Sequence, residues 1–203
     1  MSIITKAPRE HRTHAEKYDR KLGLRPGPKS IAATALLAIL CGAVLYAQNQ
    51  DKDKYSLRSP GGIAFSDFGG YEDWSVVSSA RTDEVLKVIV ASPTMIKAFK
   101  AGVPKSGEPF PQGSMIVKLQ WKPKKSAEAP FVVDVPDVFK QVFVMLKDSK
   151  RFPATGGWGY AVFNYGSASN KFSADPTALQ DCGNTCHVAV KAKDYVFHPY
   201  QMR

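Results

Sequence analysis

A chain of 203 residues, 44% of them apolar, suits one domain of ordinary size plus an appendage. The formal net charge of +10 is uneven, because residues 1–30 hold eight Lys/Arg against three Asp/Glu, half of the whole excess. The remainder is only mildly basic, so the excess belongs largely to the tail, whereas nucleic-acid binding wants basic residues interleaved with aromatics on the folded part, and nothing repeats at a solenoid period.

In chain order, the basic tail (1–30) runs through "KLGLRPGPKS" into Ile31–Ala47, "IAATALLAILCGAVLYA". These 17 residues carry no charge, close to the lower limit of the roughly 17–25 that span a bilayer as a helix. The segment is long for a signal h-region, and the tail is long for an n-region. We therefore expect one N-terminal hydrophobic helix that stays as a membrane anchor. Cleavage after Ala47 is the alternative, with Leu45 a poor residue two positions before it. Either way the tail stays inside and the C-terminal domain lies outside, which in a bacterium is the periplasm. Cys41 falls within the apolar run, and Leu40 before it is not the small residue a lipoprotein needs. We read it as an inert thiol facing lipid.

Residues 48–59, "QNQDKDKYSLRS", read as a polar linker, and a domain is expected over 60–203. Its fold class is mainly β: an antiparallel sheet with a few helices. Strands are expected at "WSVVSSAR", "VLKVIVAS", "SMIVKLQW", "FVVDV" and "WGYAVFNY". Within the third, Met115, Val117 and Leu119 point one way, and Ile116, Lys118 and Gln120 the other. "SPTMIKAFKAG" has the cap, early proline and closing glycine of a helix, and "DPTALQDCGNTCHVAVKAK" opens with an Asp-Pro helix start.

That last stretch holds Cys182, Cys186 and His187. A disulfide would suit an oxidising compartment, but it would close a loop of three residues and leave the histidine unexplained. A zinc site wants four ligands at paired spacings, and only His198 remains as a further nitrogen donor in the exported part. A thioredoxin-like dithiol wants two intervening residues and a βαβ context. Covalent haem uses all three groups: each thiol joins a vinyl, and the adjacent imidazole ligates the iron. The usual spacing is CxxCH. Here it is CxxxCH, and Gly183 and Asn184 suit the unusual backbone angles an extra residue would demand.

The blocks "YEDW", "FPQGSMIVKLQWK", "LKDSKRFPATGGWGYAVF" and "CHVAVKAKDYVFHPY" occur in this order over residues 71–200. In order and spacing they resemble the cytochrome P-460 family, in which CxxxCH also looks like a variant. The resemblance implies one covalently attached haem c per chain, in a mostly β homodimer. It implies a five-coordinate iron with His187 as the axial metal ligand, thioethers from Cys182 and Cys186, and an open opposite face. Family enzymes oxidise hydroxylamine and handle nitric oxide, passing electrons to a periplasmic acceptor. Their haem-crosslinking lysine maps onto Lys118. Related cytochrome c′-beta proteins share the fold, lack the crosslink, and bind nitric oxide and carbon monoxide under an aromatic cap.

Lys118 has an alternative reading as an ordinary solvent-facing lysine whose stem lies along apolar surface. The chain also departs from the family pattern. Where family enzymes place a distal carboxylate, anchoring on "LKDSKRF" gives Phe143, which cannot relay protons. If that alignment slips, Phe143 is a core residue, and Asp134 or Asp137 would approach the pocket instead. An apolar roof suits small neutral diatomics. The readings are thus a haem oxidoreductase of small nitrogen species, a non-enzymatic gas binder, or an electron-transfer cytochrome with His198, Met115 or Met145 as sixth ligand. We read His198 as a surface residue and both methionines as core. Trp158 and Tyr160 are expected to pack under the haem or sheet.

Overall fold

The structure is a computed structural model and describes residues 54–105 and 107–201. The basic tail, the hydrophobic run at 31–47 and the first part of the linker lie outside the described residues. Among the described residues no helix is long and apolar enough to cross a membrane.

The domain is a six-stranded antiparallel meander in the order β1-β2-β3-β4-β5-β6. The strands are β1 (Ser75–Arg81), β2 (Leu86–Ala91), β3 (Met115–Lys125), β4 (Asp134–Lys147), β5 (Trp158–Gly166) and β6 (Lys171–Ala174). The expected mainly β class with few helices is what forms. Between β2 and β3 the chain makes helix α1 (Pro93–Lys100). Ser92 caps it, accepting from the Met95 amide, and Pro93 supplies a pre-set first turn. The Ser92 hydroxyl also accepts from the Met115 amide at 3.1 Å, which ties the helix start to β3.

β3 and β4 form the longest ladder, 11 and 14 residues. Two register shifts at Gln120–Pro123 let Pro123 lie opposite Pro136 in a ladder that proline cannot feed with an N–H. The strand expected at "FVVDV" is corrected here. Only Asp134 and Val135 of it belong to β4, while Phe131 and Val132 are exposed in the connecting hairpin. β4 instead continues through "VFKQVFVMLK".

Strand alternation gives the sheet two different faces. On one, Val90, Val117, Val142, Val144, Ala161 and Phe163 pack against N-terminal turns that bring in Ile63, Phe65, Phe68 and Tyr71. Tyr55 and Leu57, from the end of the expected linker, join this cluster. On the other, Ile89, Ala91, Ile116, Met145, Trp158 and Tyr160 pack against α1 and the C-terminal segment. That second cover is partial, and the uncovered part of the face is where the site forms.

Phe65 anchors the first face. It is fully buried, and its ring centroid lies 4.6–6.5 Å from those of Tyr55, Phe68, Tyr71, Phe163 and Phe172. Phe65→Ala removes a ring that the strands cannot close over. We expect a loss of about 3–5 kcal/mol in urea unfolding with little change in slope.

Candidate functional site

A cavity of about 310 Å³ opens on the second sheet face. Strands β1 to β5 contribute Ala80, Lys87, Ile89, Ile116, Lys118, Phe143, Met145 and Tyr160, and the C-terminal segment contributes Cys182, Cys186, His187, Phe197 and His198. All five expected site residues, Lys118, Phe143, Cys182, Cys186 and His187, therefore stand around one space.

The segment that carries the thiols is wound from Asp175 onward. Asp175 accepts from the Thr177 amide at 2.9 Å, and the Thr177 hydroxyl donates to Asp181 at 2.7 Å. Leu179–Cys186 then forms a π-helix, followed by a 3-10 turn over His187–Lys193. This corrects the expectation of unusual backbone angles at Gly183 and Asn184, since neither is left-handed. The wider π turn absorbs the extra residue between the thiols instead. Gly183 serves close approach. It is buried, and a Cβ there would lie 2.9 Å from the Tyr160 ring and 3.1 Å from Thr155 Cγ2.

Cys182 is half-buried and Cys186 exposed, and both are free thiols. Burial pushes the Cys182 thiol up, opposed by the charge of Lys118. His187 Nδ1 lies 2.7 Å from the Tyr195 carbonyl oxygen. A carbonyl only accepts, so Nδ1 carries the proton and Nε2 keeps its lone pair. Burial holds the imidazole below its ordinary pKa, the Tyr195 bond acts the other way, and the Lys118 charge lowers it again. The ring sits between Tyr160 and Phe197, with centroids at 5.1 and 4.9 Å.

On the strand wall, Lys118 and Phe143 are direct cross-strand partners. The Lys118 ammonium stands 3.7 Å from the centre of the Phe143 ring, a cation–π contact. Burial, then the neighbouring Lys87, lowers the Lys118 pKa. Asp134 instead pairs with Arg81 and Lys125, and Asp137 with Lys124, so neither lines the cavity. No carboxylate lines the cavity among the described residues. His198 is exposed at its rim. Met145 is buried and lines it, whereas Met115 packs on the opposite face. Trp158 is fully buried in the core beneath.

Lys87 escaped the sequence reading. Its signal was present, because alternation places it beside Ile89 on the same face of "VLKVIVAS". The Tyr195 carbonyl left no signal, since any residue supplies one.

Two thiols and an imidazole with a free nitrogen lone pair, on one wall of an otherwise largely apolar cavity, fit a flat apolar macrocycle that carries a metal. The Tyr160 hydroxyl behind this wall is buried without a hydrogen-bond partner, and burial pushes its pKa far up. The Tyr160 ring forms part of the cavity floor.

Gly183→Ala should force the thiol-bearing turn off Tyr160. We expect thermal and urea unfolding to show a loss of about 1–3 kcal/mol. Gly61→Ala, whose Cβ would meet Leu179 at an ordinary 3.6 Å, should be close to neutral by the same measurement.

Among curated proteins, none matches the chain. The family model for cytochrome P460 matches residues 69–198, a span that runs from just before β1 to the rim of the cavity at His198 and takes in every residue that lines the cavity. Membership of that family implies a haem cofactor, which is the kind of group the cavity's donors fit. With nearly two thirds of its length under that match, the chain belongs to the cytochrome P460 family.

Proposed function

We propose that the chain is an exported mono-haem cytochrome c that binds small nitrogen species, hydroxylamine and nitric oxide, at a five-coordinate iron and oxidises them. The observation that carries this reading is the hydrogen bond from His187 Nδ1 to the Tyr195 carbonyl. It leaves Nε2 as the only ring nitrogen able to ligate a metal, beside two thiols able to hold the macrocycle.

Cys182 and Cys186 would each add across a vinyl group, the thiol hydrogen passing to the neighbouring vinyl carbon. His187 would supply the fifth ligand. The haem, once held, supplies one-electron redox chemistry and an open coordination position. Lys118, on the strand wall, would line the macrocycle. Joining its amine to a ring carbon would in addition replace that carbon's hydrogen and need a two-electron oxidant such as a peroxide. Its lowered pKa favours the neutral amine that such a step requires. Phe143 would keep water from its side of the cavity. Of the polar side chains lining the cavity, the Lys118 amine, in its neutral form, could take a proton from an oxidised substrate. In this reading the 31–47 segment anchors the domain on the periplasmic side, the working unit is a homodimer, and electrons leave to a periplasmic acceptor.

A second reading is favoured by Phe143. With a phenyl ring where a proton relay would stand and no carboxylate lining the cavity among the described residues, the site suits nitric oxide or carbon monoxide, which need no proton transfer to bind. The protein would then be a sink or sensor for gas.

Both readings are tested on full-length protein matured in a bacterium that makes c-type cytochromes. We expect denatured protein to retain haem by mass, and the Cys182→Ser/Cys186→Ser double variant to lose it. Colourless wild-type protein of unmodified mass would overturn both readings. Steady-state hydroxylamine oxidation separates them. Under the enzyme reading His187→Ala abolishes measurable turnover. Under the gas-binding reading wild-type turnover is negligible, and Phe143→Glu raises it by roughly 10²-fold by restoring a proton acceptor.

A further inference from the structure

The sequence of contacts behind His187 leads to two residues that do not line the cavity. Lys147, the last residue of β4, is 3% exposed. Its ammonium lies 2.7 Å from Asp194 Oδ1 and 3.0 Å from the Gly156 carbonyl, over the Trp158 ring at 5.0 Å. The other Asp194 oxygen accepts from the Phe110 amide at 2.8 Å. A buried ion pair of this kind is poor value as stabilisation, because desolvation cancels much of its attraction. Its position gives it another use.

Asp194 and Tyr195 are both left-handed, with φ of 46° and 66°. Asp tolerates that region, but a tyrosine does not adopt it without support. The support is visible on every side. The Asp194 carboxylate is held by Lys147 and Phe110, the Tyr195 amide donates to the Val190 carbonyl at 3.1 Å, and the Tyr195 ring lies against Gly156, where no Cβ could fit. The Lys147 ammonium bonds the Gly156 carbonyl as well, so one cation fixes both the turn and the glycine its ring rests on. What the turn presents is the Tyr195 carbonyl, aimed at His187 Nδ1.

We propose that Lys147 and Asp194 are positioning residues for His187: their ion pair holds the 194–195 turn, and through the Tyr195 carbonyl it fixes the tautomer and orientation of the imidazole. The part of this that concerns iron rests on the axial role given to His187 under Proposed function, while the part that concerns the tautomer does not. A ligating histidine whose distal N–H is held by a strong acceptor is a more basic ligand and is harder to displace. The pair would thus set the iron's reduction potential from outside the pocket.

The test uses full-length protein and the variants Asp194→Ala and Asp194→Asn, with Asp134→Asn as control. Asp134 also sits in an ion-pair cluster, with Arg81 and Lys125, but away from His187. Three quantities are read: the midpoint potential, the concentration of exogenous imidazole that displaces His187, and the His187 tautomer by nitrogen NMR in haem-free chain. Asp194→Ala should raise the potential, lower the displacing imidazole concentration by about 10-fold or more, and mix the two tautomers. Asp194→Asn keeps left-handed tolerance and one acceptor oxygen, so it should fold and move each readout in the same direction by less. Asp134→Asn should move none of them. Unchanged potential, displacement and tautomer in Asp194→Asn, whether or not Asp194→Ala folds, would overturn the proposal. If His187→Ala left the haem spectrum unaltered, the axial reading would fail instead, and the tautomer would still decide whether the turn positions the ring.

Discussion

A backbone carbonyl accepts hydrogen bonds and never donates them, and at Tyr195 that simple asymmetry organises the site. Because the carbonyl stands 2.7 Å from His187 Nδ1, the imidazole has one available lone pair, on Nε2. Everything nearby maintains that relation. The π turn and the 3-10 turn bring the ring up beside the thiols, Tyr160 and Phe197 flank it, and a left-handed turn at Asp194 holds the acceptor in place. A histidine without such a partner would sample both tautomers, and part of its population would offer the wrong nitrogen.

The sheet supplies the opposing wall by being covered unevenly. One face is closed by the aromatic cluster around Phe65. The second face is closed only at the α1 end and along the C-terminal segment. Lys118 and Phe143 fall in the uncovered part because their strands pair in a register that sets them directly opposite one another. A slip of β3 by one residue would turn Lys118 into the Phe65 core, where a lysine could not be accommodated. The lysine therefore helps to specify the register, and the phenyl ring beneath it gives the ammonium a partner that a purely aliphatic wall would lack.

Much of this was legible in the sequence, for identifiable reasons. Cys182, Cys186 and His187 are chemically rare types at short spacing, and alternation around Met115–Gln120 assigned Lys118 to the correct face. What failed depended on partners distant in sequence. The direct pairing of Lys118 with Phe143 is a property of two strands, and neither strand reveals it alone. β4 was misplaced because "FVVDV" looks more strand-like than the proline-bearing run that follows, yet the proline at 136 is tolerated where it faces Pro123 at a bulge. The extra residue between the thiols suggested a glycine kink, but a widened helix solves the same spacing problem with ordinary backbone angles. The Lys147–Asp194 pair joins residues 47 apart, and each alone looks like a surface charge.

The charges of the site follow one pattern. Cations approach the cavity directly, as Lys87 and Lys118, while the Asp194 carboxylate, one residue before the Tyr195 acceptor, is neutralised by Lys147. An unneutralised carboxylate at that position would draw His187 towards its protonated form, which cannot ligate a metal. Burial and the Lys118 charge push the imidazole the other way, towards the neutral form. The ion pair thus reconciles two requirements that otherwise conflict. The left-handed turn needs a short polar side chain that tolerates it, and the imidazole needs surroundings that do not favour its charge. Aspartate meets the first, and its pairing with a buried lysine lets it meet the second.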